Sequence, residues 1–212
     1  MLYRFLGVLG SNPPVSFVTG SFLVYPTGVA LLAAAAWCSR RRIPGWRTFL
    51  ILSMVMYISM VVEVTLFPMP ISFAEIARVR SDPSLFISPD INLAPFRSIL
   101  ISARGSEVQG RSIFVRNWLG NLLLLMPLGF LSPLIWNRFR DVWRVMSLCL
   151  AASLSVEFLQ FIGSFLVFRI RWKSVDIDDV MVNVAGGMLG FLLALSLTNL
   201  GAALRGGRTR QP

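Results

Sequence analysis

Long apolar stretches constrain this chain more than any other feature. A helix needs about 20 mostly apolar residues to cross a bilayer. Five stretches meet that need: Val15–Trp37, Phe49–Pro68, Trp118–Trp136, Val145–Phe168 and Val180–Leu200. No charge occurs between Phe5 and Ser39 or within the last stretch. Hydrocarbon offers the backbone no hydrogen-bond partners, so only helices or closed barrels span it. Runs this long, without alternation, predict helices rather than barrel strands. The expected fold is therefore an all-α polytopic membrane bundle of about five transmembrane helices. A short interfacial or re-entrant segment completes it.

Composition agrees. Of 212 residues, 55% are hydrophobic and 14% charged, against about 25% charged in soluble domains. The net charge is +10. Because the arginines flank apolar runs, they point to lipid headgroups or envelope polymers rather than to nucleic acid. There is no histidine, which excludes imidazole bases and Ser-His triads. Cys38 and Cys149 are too far apart in sequence to read as a CxxC pair or a disulfide framework. No sequence motif demands a cofactor, so none is expected.

The arginines also order the topology. Arg40, Arg41, Arg42 and Arg47 follow the first stretch. Arg138, Arg140 and Arg144 follow the third, and Arg205, Arg208 and Arg210 the fifth, with Asp141 the one acid among them. Short basic loops stay in the cytoplasm, so the N-terminus is expected outside and the C-terminus inside. Ala33–Ala36 looks like a small-residue cleavage site, but the apolar run before it is long for a leader and Arg4 is the sole basic residue ahead of it. A span is the expectation. Residues 1–50 form an extra N-terminal span and basic loop, 51–200 the membrane domain and 201–212 a basic tail.

Polar groups inside a membrane are costly, so each needs a reason. Ser153, Glu157, Gln160 and Ser164 recur at i, i+4, i+7 and i+11, one stripe on an otherwise apolar helix. The stripe must face protein or a wet cavity; a helix-packing seam would serve the serines and Gln160 equally well. Asp176, Asp178 and Asp179 follow, with Asp176 placed as an N-cap and the others in a first turn favoured by the helix dipole. Asp179, Asn183, Gly186 and Gly190 then share one helix face. Gly186 and Gly190 form a GxxxG that admits a close neighbour. Asn117 and Asn121 are spaced i, i+4 on the third span, and Glu63 is an acid on the second. Between the second and third spans, Pro95 suits the first position of a short helix carrying Phe96, Ile99, Leu100 and Ala103 on one face.

Four motifs in order carry a family resemblance: Asn92-Leu-Ala-Pro-Phe96; Gly120-Asn121 with Pro127-Leu-Gly129-Phe130; Glu157-Phe-Leu-Gln160; and Asp176-Ile-Asp-Asp179 with Asn183 and Gly186. Together they resemble the VanZ-like membrane proteins over residues 90–195. The resemblance implies a small polytopic bacterial protein of the cytoplasmic membrane and a link to lowered teicoplanin susceptibility. It also implies an arginine shortly before the acidic motif, a place for which Arg169 and Arg171 both stand. The expected ligand-binding set is Asn92, Arg97, Asn121, Glu157, Gln160, Arg169, Asp176, Asp178, Asp179 and Asn183, lining an outward polar pocket. Membrane lipids and a lipid-linked or glycopeptide-like ligand are the expected partners. An alternative is an intramembrane enzyme on a lipid headgroup, with Glu157 as base and Asp179 beside it, with or without a divalent metal. Ion or proton transport through Glu63 and Glu157 is a third.

Overall fold

The computed structural model describes residues 17–18, 23–70, 76–77, 80–82, 90–97, 100 and 108–208. Among the described residues, four stretches are long and apolar enough to cross a membrane: Gly45–Leu66, Val115–Ile135, Val142–Val167 and Ile177–Leu200. They coincide with the second to fifth expected spans. The first expected span lies partly outside the described residues; within them, helix α1 covers Val24–Arg40.

Helix limits follow local chemistry. Helix α2 (Gly45–Leu66) opens behind Pro44, whose carbonyl accepts the N–H groups of Arg47 and Thr48 at 2.9 and 3.0 Å. It stops two residues before Pro68, which disfavours helical backbone in the residue ahead of it. The third span is two helices, α3 (Val108–Leu124) and α4 (Met126–Ile135). They break at Leu125, with φ −98° and ψ 0°. The cause is Pro127, which has no N–H to continue the ladder. The Leu124 carbonyl at this break accepts the Tyr57 hydroxyl at 2.7 Å. Helix α5 (Val142–Phe161) passes into a π-helical turn, Ile162–Val167, and helix α6 runs Ile177–Arg208.

The chain forms two compact units. The first takes its described residues from Met1–Val29, Ile58–Asn117 and Leu154–Asp178. It contains two small ladders: β1 (Phe17–Val18) antiparallel to β2 (Met69–Pro70), and β3 (Ile91–Asn92) parallel to β4 (Val175–Asp176). Its apolar cluster is Ile76, Phe168 and Ile170, covered by Met69 and Trp172. Trp172 lies where a side chain on Gly163 would sit, and its indole N–H donates to the Pro68 carbonyl at 2.7 Å. Pro95 lies in the turn at 94–96 rather than at a first helical position, and Phe96 there has φ 63°.

The second unit comprises Ala30–Tyr57, Trp118–Ser153 and the described part of Asp179–Pro212. Leu125, Val145, Cys149 and Phe191 form one core, and Met54, Leu131 and Ile135 another. Backbones approach closely here. A Cβ on Gly129 would lie 1.8 Å from the Gly187 carbonyl oxygen, and one on Gly186 1.8 Å from that of Leu122. Gly190 faces the Met126 carbonyl in the same way, at 2.0 Å. The glycine face of α6 thus meets the backbone of α3 and α4 directly.

Candidate functional site

The expected polar residues gather into hydrogen-bonded groups within each unit. In the first unit the acidic motif clamps residues 90–96. Strand β4 pairs with β3, setting Asn92 opposite Asp176. The Asp176 Oδ1 then accepts the Asn92 amide N–H and the Asp178 backbone N–H, each at 2.9 Å. The second bond caps α6. Asp178, 2% exposed, accepts the Phe96 N–H at 2.6 Å. Asn92 Oδ1 in turn accepts the Ala94 N–H at 3.3 Å. An exposed ion pair, Arg171 to Asp90 at 3.1 Å, lies at the edge of this clamp.

Glu157 joins the clamp from α5. Its Oε2 accepts the Asp176 backbone N–H at 3.0 Å, and the residue is 7% exposed. Glu157 also borders a groove of about 510 Å³ with Leu154, Ser155, Phe158, Phe161 and Val175. Leu154 and Phe158 are exposed. The groove is an apolar trough bordered by one carboxylate and one hydroxyl. None of the other expected site residues lines it.

The rest of the α5 stripe is held by protein partners. Gln160 donates to the Thr65 carbonyl at 3.1 Å. The Ser164 hydroxyl donates to the Lys173 carbonyl at 2.7 Å and accepts the Lys173 N–H at 2.9 Å. Lys173 reaches the Phe67 carbonyl at 3.4 Å, and burial pushes its ammonium pKa below the ordinary lysine value. Sequence reasoning missed Lys173 and Trp172, whose partners are carbonyls at Phe67 and Pro68 that no residue pattern marks. Arg97 and Arg169 are exposed, and Arg169 has a left-handed φ of 53°.

In the second unit, Asn121 donates its amide N–H to Asp179 Oδ1. The Asn183 amide donates to the Ser153 hydroxyl at 3.0 Å, with both residues almost fully buried. Asn183 Oδ1 and Ser132 Oγ are buried and have no hydrogen-bond partner among the described residues. These pairs fasten α3 and α5 to α6 through polar groups that lipid could not satisfy.

Among the described residues, no three Cys, Asp or Glu side chains are arranged to hold a metal ion. The three acids of the clamp instead accept N–H groups.

Four long apolar spans, joined by side-chain hydrogen bonds such as Asn183 to Ser153, define a multi-pass helical membrane protein. Its sequence matches the VanZ/LLP1 family model over residues 54–198, more than half of the chain, and the protein belongs to that family. A search of curated proteins and of solved structures finds no match.

Proposed function

We propose that this protein is a bacterial cytoplasmic-membrane component, N-terminus outside, that binds an amphipathic envelope ligand and thereby lowers teicoplanin susceptibility. The ligand is lipid-linked or glycopeptide-like. The observation that carries this reading is the Glu157 groove. A buried carboxylate there borders an apolar trough of about 510 Å³ whose rim, Leu154 and Phe158, is exposed on a membrane-spanning helix. Such a trough suits an acyl or aryl group. The carboxylate suits an amide N–H, a sugar hydroxyl or an ammonium group as donor. Arg97 and Arg169, exposed in the same unit, are the cations available to a phosphate or carboxylate on a ligand long enough to reach them. Asn92, Asp176 and Asp178 hold the clamp from which Glu157 is positioned. Gln160 fixes α5, and Asn121, Asp179 and Asn183 hold α6.

The test is thermal stabilisation of the purified protein in lipid nanodiscs by teicoplanin and, separately, by a lipid-linked peptidoglycan precursor. Glu157→Gln keeps an acceptor for the Asp176 N–H but removes the charge. A lost charge-assisted hydrogen bond costs about 1.5–3 kcal/mol, so affinity should fall tenfold or more with folding intact. Chromatography of the same mixtures reads turnover. Conversion of the precursor that stops in Glu157→Gln would favour the carboxylate enzyme instead. No stabilisation by either compound would refute the binding reading.

A further inference from the structure

A second groove, in the other unit, has the chemistry of an anion site. It occupies about 550 Å³ between the 3₁₀ turn Asn137–Arg140 and the first two turns of α5. Its walls are Arg138, Phe139, Trp143, Arg144, Ser147 and Leu148. Trp143 and Ser147 are spaced i, i+4, as are Arg144 and Leu148, so one face of α5 forms one wall.

Both arginines border the groove. The Arg144 guanidinium donates to the Arg138 carbonyl at 3.4 Å, which brings it to the turn that carries the other cation. The Arg138 guanidinium lies over the Phe139 ring, 4.8 Å from its centre. Among the described residues neither guanidinium has a carboxylate within 4.0 Å. The nearby acid, Asp141, accepts the Arg144 backbone N–H at 3.0 Å and so caps α5. Both arginines line the groove at the N-terminal end of α5, where the helix dipole adds to their positive field and favours a bound anion. Arginine also meets phosphate oxygens in a bidentate manner.

The surroundings point to where the anion comes from. The groove opens at the start of the apolar stretch Val142–Val167. Leu148 lies about 6 Å deeper along the helix than Arg144, at 1.5 Å per residue. Trp143 is 67% exposed and Trp136 42%, as suits aromatic residues at headgroup depth. The groove therefore runs from a cationic end to an apolar end in the direction in which a lipid runs from phosphate to acyl chain.

We propose that this groove is a binding site for an anionic phospholipid, its phosphate between Arg138 and Arg144 and near the Ser147 hydroxyl, its glycerol and first methylenes against Phe139, Trp143 and Leu148. The site is separate from the Glu157 groove and does not depend on its ligand.

Native mass spectrometry of the whole protein, released from mild detergent with added phosphatidylglycerol or phosphatidylcholine, tests this. The expected result is one retained phosphatidylglycerol and at least tenfold less phosphatidylcholine. Arg138→Gln with Arg144→Gln should lower phosphatidylglycerol retention about tenfold. Arg41→Gln with Arg42→Gln removes the same charge from another basic stretch and should leave it within threefold. Ser147→Asp, on an exposed position, should abolish retention while every arginine stays in place. Equal loss in the two double variants would reduce the site to net charge and overturn the proposal. Equal retention of phosphatidylcholine would overturn it too. Displacement of the lipid by millimolar glycerol phosphate would assign the groove to a soluble phosphate compound and overturn its lipid source.

Discussion

Replacing Gly129 with alanine tests the close backbone packing most directly. The new Cβ would lie 1.8 Å from the Gly187 carbonyl oxygen, 2.6 Å from its carbon and 3.0 Å from its Cα. All three are backbone atoms, so no side chain can swing aside. Helices α4 and α6 must separate by roughly 1 Å or more, enough to forfeit about half of each dispersion contact nearby. Overpacking a tight core costs typically 1–3 kcal/mol, and a backbone clash belongs at the top of that range or above it. Alanine returns up to about 1 kcal/mol through helix propensity. The net loss is about 2–3 kcal/mol. At 2–4 °C per kcal/mol for a chain of this size, the midpoint should fall by roughly 4–12 °C. Gly120 is the internal control. It lies on the same span, and a Cβ there meets nothing within 4 Å. Gly120→Ala should be neutral or stabilising. Size-exclusion recovery after heating in detergent reads both. A Gly129→Ala midpoint within 2 °C of the parent would refute the close approach of α4 and α6.

Three further outcomes follow from the site. Asp178→Ala removes the acceptor of the Phe96 N–H and should release residues 90–97, raising amide exchange there by at least tenfold, whereas Asp178→Asn should keep most of the protection because an amide oxygen still accepts; equal exchange in parent and Asp178→Ala would sink the clamp. Ser164→Ala deletes both hydrogen bonds to the Lys173 backbone and should cost about 1–3 kcal/mol, read as a lower thermal midpoint. Burial depresses the Lys173 pKa, so the unfolded chain binds the extra proton and stability should rise with pH from the folded pKa up to the ordinary value of about 10.4, then level; Lys173→Met should remove that part of the slope in a midpoint-versus-pH series.

Much of this architecture was legible in the sequence because bilayer physics leaves few choices. Apolar length marks the spans, and the missing N–H of Pro127 accounts for the break at Leu125. The i, i+4, i+7 spacing aligned Ser153, Glu157, Gln160 and Ser164. Asp176 was readable as a cap because an acid there, followed by apolar periodicity, has an N–H to accept. What spacing does not encode is the partner across a long loop. That Asn92 pairs with Asp176, or Ser164 with Lys173, depends on the register of segments 84 and 9 residues apart. Carbonyl partners such as those at Phe67 and Pro68 carry no side-chain signature at all.

The geometry also divides labour among acids that look equivalent in sequence. Asp176 Oδ1 accepts two N–H groups and Asp178 accepts another inside a 2% exposed site. An acid that fixes loop backbone loses its effect on the loop as soon as it is given to a ligand. Glu157 differs in position: it accepts the Asp176 N–H through one oxygen and at the same time borders an open apolar trough. Neither aspartate lines that trough. Substituting the aspartates should therefore disturb the loop first and binding second, whereas Glu157→Gln should disturb binding while the loop stays ordered.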